Sequence, residues 1–182
     1  MKNLNLICHP KDLNSSISSL ETSVVRLDSN RLQFSYSLTG EISALKVPPR
    51  QTSAMQEGLW QHTCFEAFIA EPNALGYLEF NFSPSSLWTI YRFNDYRQRA
   101  DYAGNITPKI HVEITETLLQ LVAEIQLPKH LVDINLQIGL TAVIENQDAQ
   151  LTYWALRHPS ETPDFHLRAG FALLLPSTNT TN

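Results

Sequence analysis

Leu119-Gln-Leu-Val-Ala-Glu-Ile-Gln-Leu127 decides the fold. Leu119, Leu121, Ala123, Ile125 and Leu127 fall on one side of an extended chain, and Gln120, Glu124 and Gln126 on the other. A helix would scatter those apolar residues around its circumference; a strand, with its period of two, lines them up against a core. The same alternation recurs on both sides of this stretch. Leu32, Phe34, Tyr36 and Leu38 alternate with Gln33, Ser35 and Ser37. Ile110, Val112 and Ile114 alternate with Lys109, His111 and Glu113. Leu136, Ile138, Leu140, Ala142 and Ile144 again share one face. Strands with one wet face belong to antiparallel sheets. Asp28-Ser29-Asn30 suits a hairpin turn between 22–27 and 31–39. About ten such strands, separated by turn signals, predict an all-β antiparallel sandwich of two sheets. Helical patterning is weak and confined to 11–20 and 53–59.

The 182 residues suit one domain over 1–175, followed by a polar tail at 176–182 that is expected to be disordered. A chain of this length can bury a core without disulfide or metal staples. Cys8 and Cys64 stand far apart and form neither a disulfide framework nor a zinc pattern, so buried free thiols are expected. Thirteen basic and eighteen acidic residues leave a net charge of −5. That balance disfavours nucleic acid and anionic membranes as partners. No stretch approaches the roughly 18 apolar residues of a membrane span. The apolar run near the start is too short for a secretory signal, which points to the cytoplasm.

Three long loops are expected, at 47–58, 94–109 and 157–169; loops of more than about 12 residues are often functional. The polar and aromatic residues that ask for an explanation lie in or beside three segments. In Trp60-Gln-His-Thr-Cys-Phe-Glu-Ala-Phe68, both faces of a strand are largely apolar, with His62 and Glu66 in phase on one of them. Glu66 between Cys64 and Phe68 then needs a partner, either a ligand or a structural hydrogen bond. In 77–93, Ser83-Pro-Ser-Ser86 turns a hairpin whose Glu79, Asn81 and Trp88 are candidates for a binding face, with an aromatic core as the plainer alternative. Tyr153-Trp-Ala-Leu-Arg-His-Pro159 places Trp154 at a strand end and leads into a proline-stiffened loop carrying His158, Asp164 and His166. The spacing of those last three matches no compact zinc motif, and no metal is expected. Gly-x-Ser-x-Gly, Gly-rich phosphate loops and His-Glu-x-x-His are absent from the sequence. Catalysis is therefore the minor reading.

Three blocks, Leu59–Phe68, Tyr77–Trp88 and Tyr153–His166, resemble the DOMON-like proteins of bacteria. That group is similar to the wider superfamily of DOMON domains and family 9 carbohydrate-binding modules. The resemblance covers about residues 5–175. It implies a two-sheet β-sandwich that binds sugar or haem. The acidic residue often found midway along the tryptophan-then-acidic strand of sugar-binding members is replaced here by Gln61, His62 and Thr63. Haem-binding relatives use methionine with histidine or lysine as axial ligands, and Met55 is the one internal methionine of this chain. The expectation is a small-ligand-binding module, with a saccharide or other small polar ligand favoured. Haem binding, a saccharide-acting enzyme and a protein-interaction domain are the alternatives. The pocket is expected on one sheet face beneath the 157–169 loop. Trp60, His62, Glu66, Asn81, Trp88, Trp154, His158, Asp164 and His166 are its expected lining.

Overall fold

The computed structural model describes residues 3–12 and 16–178. In chain order these form thirteen strands: β1 (Leu4–Asn5), β2 (Ile7–Cys8), β3 (Ile17–Arg26), β4 (Arg31–Gly40), β5 (Cys64–Ala70), β6 (Tyr77–Phe82), β7 (Trp88–Asp95), β8 (Gln98–Ala100), β9 (Lys109–Ile114), β10 (Leu118–Gln126), β11 (Leu136–Glu145), β12 (Leu151–Ala155) and β13 (Leu173–Leu175). Among the described residues the only helices are single 3₁₀ turns. One sheet has the order β1-β3-β4-β10-β9; the other runs β2-β12-β11-β5-β6-β7-β8, with β13 also paired to β11. All these pairings are antiparallel. The all-β, two-sheet antiparallel sandwich is therefore as the alternation predicts. The surplus over about ten strands comes from two- and three-residue edges.

The core is the space between the sheets. The first sheet contributes Leu32, Phe34, Tyr36, Leu38, Leu119 and Leu121, all buried. Phe65, Ile69, Phe80, Phe82, Ile138 and Leu140 answer from the second. The Tyr36 hydroxyl crosses this space and donates to the Glu66 carbonyl oxygen at 2.6 Å. A fully buried hydroxyl is tolerated because that bond replaces its water.

The two outer faces differ. On β4 the outward Gln33, Ser35 and Ser37 are partly exposed. Strands β5 and β6 are buried along their whole length, on both faces. The segments 53–62 and 157–171 supply the second cover. Residues 53–56 run extended beside β7, where Met55 pairs in parallel with Trp88; Glu57 and Gly58 turn and Leu59 opens a single 3₁₀ turn, so no α-helix forms over 53–59. The Gln56 N–H donates to the Trp88 carbonyl and the Thr89 hydroxyl to the Gln56 carbonyl. Residues 17–20 of the other helical candidate belong to β3, because pairing with β4 outweighs weak local preference; its residues 13–15 lie outside the described region. At the chain's end, the Ser177 and Thr178 N–H groups donate to Asn135 and Asp133, so the expected tail is tied down at its start. Residues 179–182 lie outside the described region.

Candidate ligand-binding site

Cross-strand register brings the outward side chains of the second sheet into rows. Glu66 stands beside Thr141 on one flank and Asn81 on the other; Phe68 stands beside Gly139 and Glu79, and Glu79 beside Tyr91. Above these rows lies a cavity of about 510 Å³, within the range of small-molecule pockets. Its floor is Glu66, Phe68, Glu79, Tyr91 and Phe93. Val143 and Tyr153 close one side, and Pro163, Phe165 and His166 of the long loop close the top. Trp60, Arg97 and Arg99 complete the wall.

Two glycines set this geometry. At Gly139 a Cβ would stand 2.9 Å from the Phe171 ring and 3.3 Å from the Phe68 Cβ. Its absence lets the 157–171 segment lie down on the sheet. Gly58 takes φ 76°, the left-handed region that a side chain disfavours. Its N–H donates to the Tyr91 hydroxyl at 3.1 Å, and the chain then turns through Leu59–Gln61 to hold Trp60 half-exposed at the cavity.

Two carboxyl groups lie in the floor. Burial pushes Glu66 well up, the charge of Glu79 adds to the effect, and the Thr141 hydroxyl, donating at 2.9 Å, opposes it. Burial also pushes Glu79 up to about 7, against a hydrogen bond from the Asn81 amide at 2.6 Å and the attraction of Arg97 and Arg99. Low-dielectric surroundings favour the neutral form of each acid. His166 is held neutral by the same cause: burial, helped by Arg97, lowers it to about 4. The Tyr77 hydroxyl accepts the Arg97 N–H at 3.2 Å and is hydrogen-bonded to His166 Nδ1 at 2.8 Å. His166 Nε2 faces a Glu79 oxygen at 3.8 Å.

Two guanidinium groups stand in the wall. Arg97 sits at the β7–β8 turn with φ 53°. Its Nη2 reaches Asp164 at 3.0 Å, and Asp164 also accepts from the Tyr96 hydroxyl and the His166 N–H. Burial tends to raise Asp164, but these donors win and hold it below the usual carboxylate range. Arg99 lies over the Tyr91 ring at 4.3 Å and pairs with Glu57 at 2.8 Å.

Of the nine expected lining residues, Trp60, Glu66 and His166 meet the cavity. Asn81 and Asp164 stand one hydrogen bond behind it, on Glu79 and Arg97. His62 is not in the lining; its Nδ1 lies 2.7 Å from Glu145. Trp60 and His62 also precede the strand, which begins at Cys64. His158 is spent on the Ile7 carbonyl at 2.8 Å and lies edge-on to His9. Trp88 and Trp154 point the opposite way, into the core between the sheets. The reason is parity: Trp88 pairs with the inward Phe82, and Trp154 with the inward Ala142. Among the described residues no three His, Cys, Asp or Glu side chains are grouped to hold a metal. Tyr91, Phe93 and Tyr153 were readable as lining from the phase of their strand neighbours; Phe165 lies in an irregular segment and was not. Arg97 and Arg99 carried no such signal, since a hairpin at 95–98 places them.

No protein-family model matches the chain, and no curated protein matches it. Solved structures do. One is a protein from Bacteroides uniformis ATCC 8492 for which carbohydrate binding has been proposed. It is 12% identical, with a TM-score of 0.61 over 93% of this chain and 84% of that one. Another is a family 9 carbohydrate-binding module from Caldicellulosiruptor kristjanssonii in complex with cellotriose. It is 13% identical, with a TM-score of 0.50 over 82% of this chain and 71% of that one. The chain shares their fold, a sandwich like that of the family 9 modules.

Proposed function

We propose that the chain is a saccharide-binding module, DOMON-like in kind, whose ligand lies between the outer face of the second sheet and the 157–171 segment. One observation carries this reading. A single cavity sets aromatic side chains (Trp60, Tyr153) beside groups that hydrogen-bond hydroxyls (Glu66, Glu79, His166). A sugar presents both a C–H face that stacks on rings and a rim of hydroxyls that need partners. The neighbours' fold supports it, and one of those neighbours holds cellotriose.

Haem fits poorly. It needs a free histidine or methionine over an apolar slot. Met55 is largely exposed and absent from the lining, His158 is bonded to Ile7, and His166 is bonded to Tyr77 through Nδ1 while its Nε2 faces the polar Glu79 rather than an apolar slot. The carboxyl pair favours one other reading, a saccharide-acting enzyme with Glu79 as the acid. It predicts release of new reducing ends from oligosaccharides, lost in Glu79→Gln.

The deciding test is isothermal titration with a panel of mono- and disaccharides. At least one should bind, and Trp60→Ala should weaken it roughly tenfold or more while the melting temperature moves little, because Trp60 is half-exposed. No binding across the panel would remove this reading and bring a protein-interaction role forward.

A further inference from the structure

We propose that this cavity takes an acidic saccharide, a uronate or another sugar bearing one carboxylate, with the charged group held by Arg97 and Arg99. The proposal rests on the saccharide reading above and names its ligand class.

The two cations reach one cavity from one hairpin, Arg97 from its turn and Arg99 from β8, opposite Phe93. Both side chains stay more than half exposed, at 54% and 57%. Each engages a carboxylate through Nη2, and a guanidinium has five N–H donors. Arg99 lies over the Tyr91 ring, 4.3 Å from its centroid, a contact that steadies a planar group able to offer a carboxylate two N–H donors at once.

The resident partners do not consume this capacity. Asp164 divides its oxygens among Arg97, the Tyr96 hydroxyl and the His166 N–H. Glu57 is 63% exposed, and such a surface pair exchanges for a ligand at little cost. The acids inside the cavity, Glu66 and Glu79, are buried where the neutral form is favoured, so they donate to hydroxyls rather than repel an anion. Two cations, each partly spent on a neighbour, match one negative charge better than the −1.5 to −2 of a phosphate ester.

The test is calorimetric titration of the intact protein at low salt and slightly acidic pH. The probes are the methyl glycosides of glucuronate and glucose, those of galacturonate and galactose, and glucose 6-phosphate. In at least one pair the uronate should bind roughly tenfold tighter than its neutral parent, with a preference that shrinks as salt rises. Arg99→Gln, at an exposed side chain, should bring that ratio within about threefold of unity, and Arg97→Gln should do the same. A melting curve confirms that each variant is folded. Neutral sugars binding as well as uronates would overturn the acidic ligand and leave the saccharide reading standing. Failure of every probe would overturn both. Uronate preference untouched by either substitution would overturn the arginine assignment, and tighter binding of the phosphate would overturn the carboxylate.

Discussion

Glu79 and His166 carry opposite pH signatures within a few ångströms of each other. Glu79 has a folded value of about 7 against an ordinary 4.5, because burial disfavours its charge. Between those values the unfolded chain has released the proton and the folded chain keeps it. Stability from this group is therefore fully present below about pH 4.5 and is lost as pH rises toward about 7. His166 has a folded value of about 4 against 6.5, also through burial. In that window the unfolded chain binds the extra proton, so stability from His166 grows as pH rises from about 4 to 6.5. The two slopes oppose each other in the wild type. Glu79→Gln should therefore gain stability over the wild type as pH rises from about 4.5 to 7, by on the order of 3 kcal/mol at most. Urea unfolding of both proteins across that range measures it. A difference independent of pH would show that Glu79 is ionised in the fold throughout.

At the scale of elements, the site depends on how closely the 157–171 segment lies against β5 and β11. Gly139 permits that approach, so Gly139→Ala should push Phe171 off the sheet. The expected cost is about 1–3 kcal/mol, read from thermal unfolding, together with weaker saccharide binding. An unchanged melting temperature would mean that the segment has room to spare. The strands themselves were legible in the alternation, because a half-buried strand must repeat every two residues. The turns at Asp28–Asn30 and Ser83–Ser86 were legible through their residue types. The face on which Trp88 lies was also within reach. Phe82 and Trp88 pair across a hairpin, so they share a side, and Phe82 is in phase with the apolar Leu78 and Phe80. The second cover was legible only in part. The 157–169 loop was expected over a sheet face, but nothing local says that 53–62 joins it, and only the β7–β8 hairpin pairing brings Arg97 and Arg99 to the same face as Glu79.

Taken as a whole, the molecule is a sandwich with one wet outer face and one roofed outer face, and the roofed face holds the cavity. The three tryptophans of the chain divide between its two sides. Trp60 meets the cavity, whereas Trp88 and Trp154 lie in the core, where Trp154 donates its indole N–H to the Thr152 hydroxyl at 3.0 Å. Trp154→Phe should accordingly cost about 1–3 kcal/mol of stability in a thermal melt and leave saccharide affinity within about twofold. A large loss of affinity in a folded variant would place Trp154 at the ligand. The same division allows the most direct test of the site. A nitrogen-15 correlation spectrum should show one indole N–H signal for each of the three tryptophans, and Trp60→Phe identifies one of them. On titration with the saccharide that binds best, the Trp60 signal should move to saturation while those of Trp88 and Trp154 stay in place. Movement of Trp88 or Trp154 with Trp60 unchanged would contradict a ligand site on the roofed face.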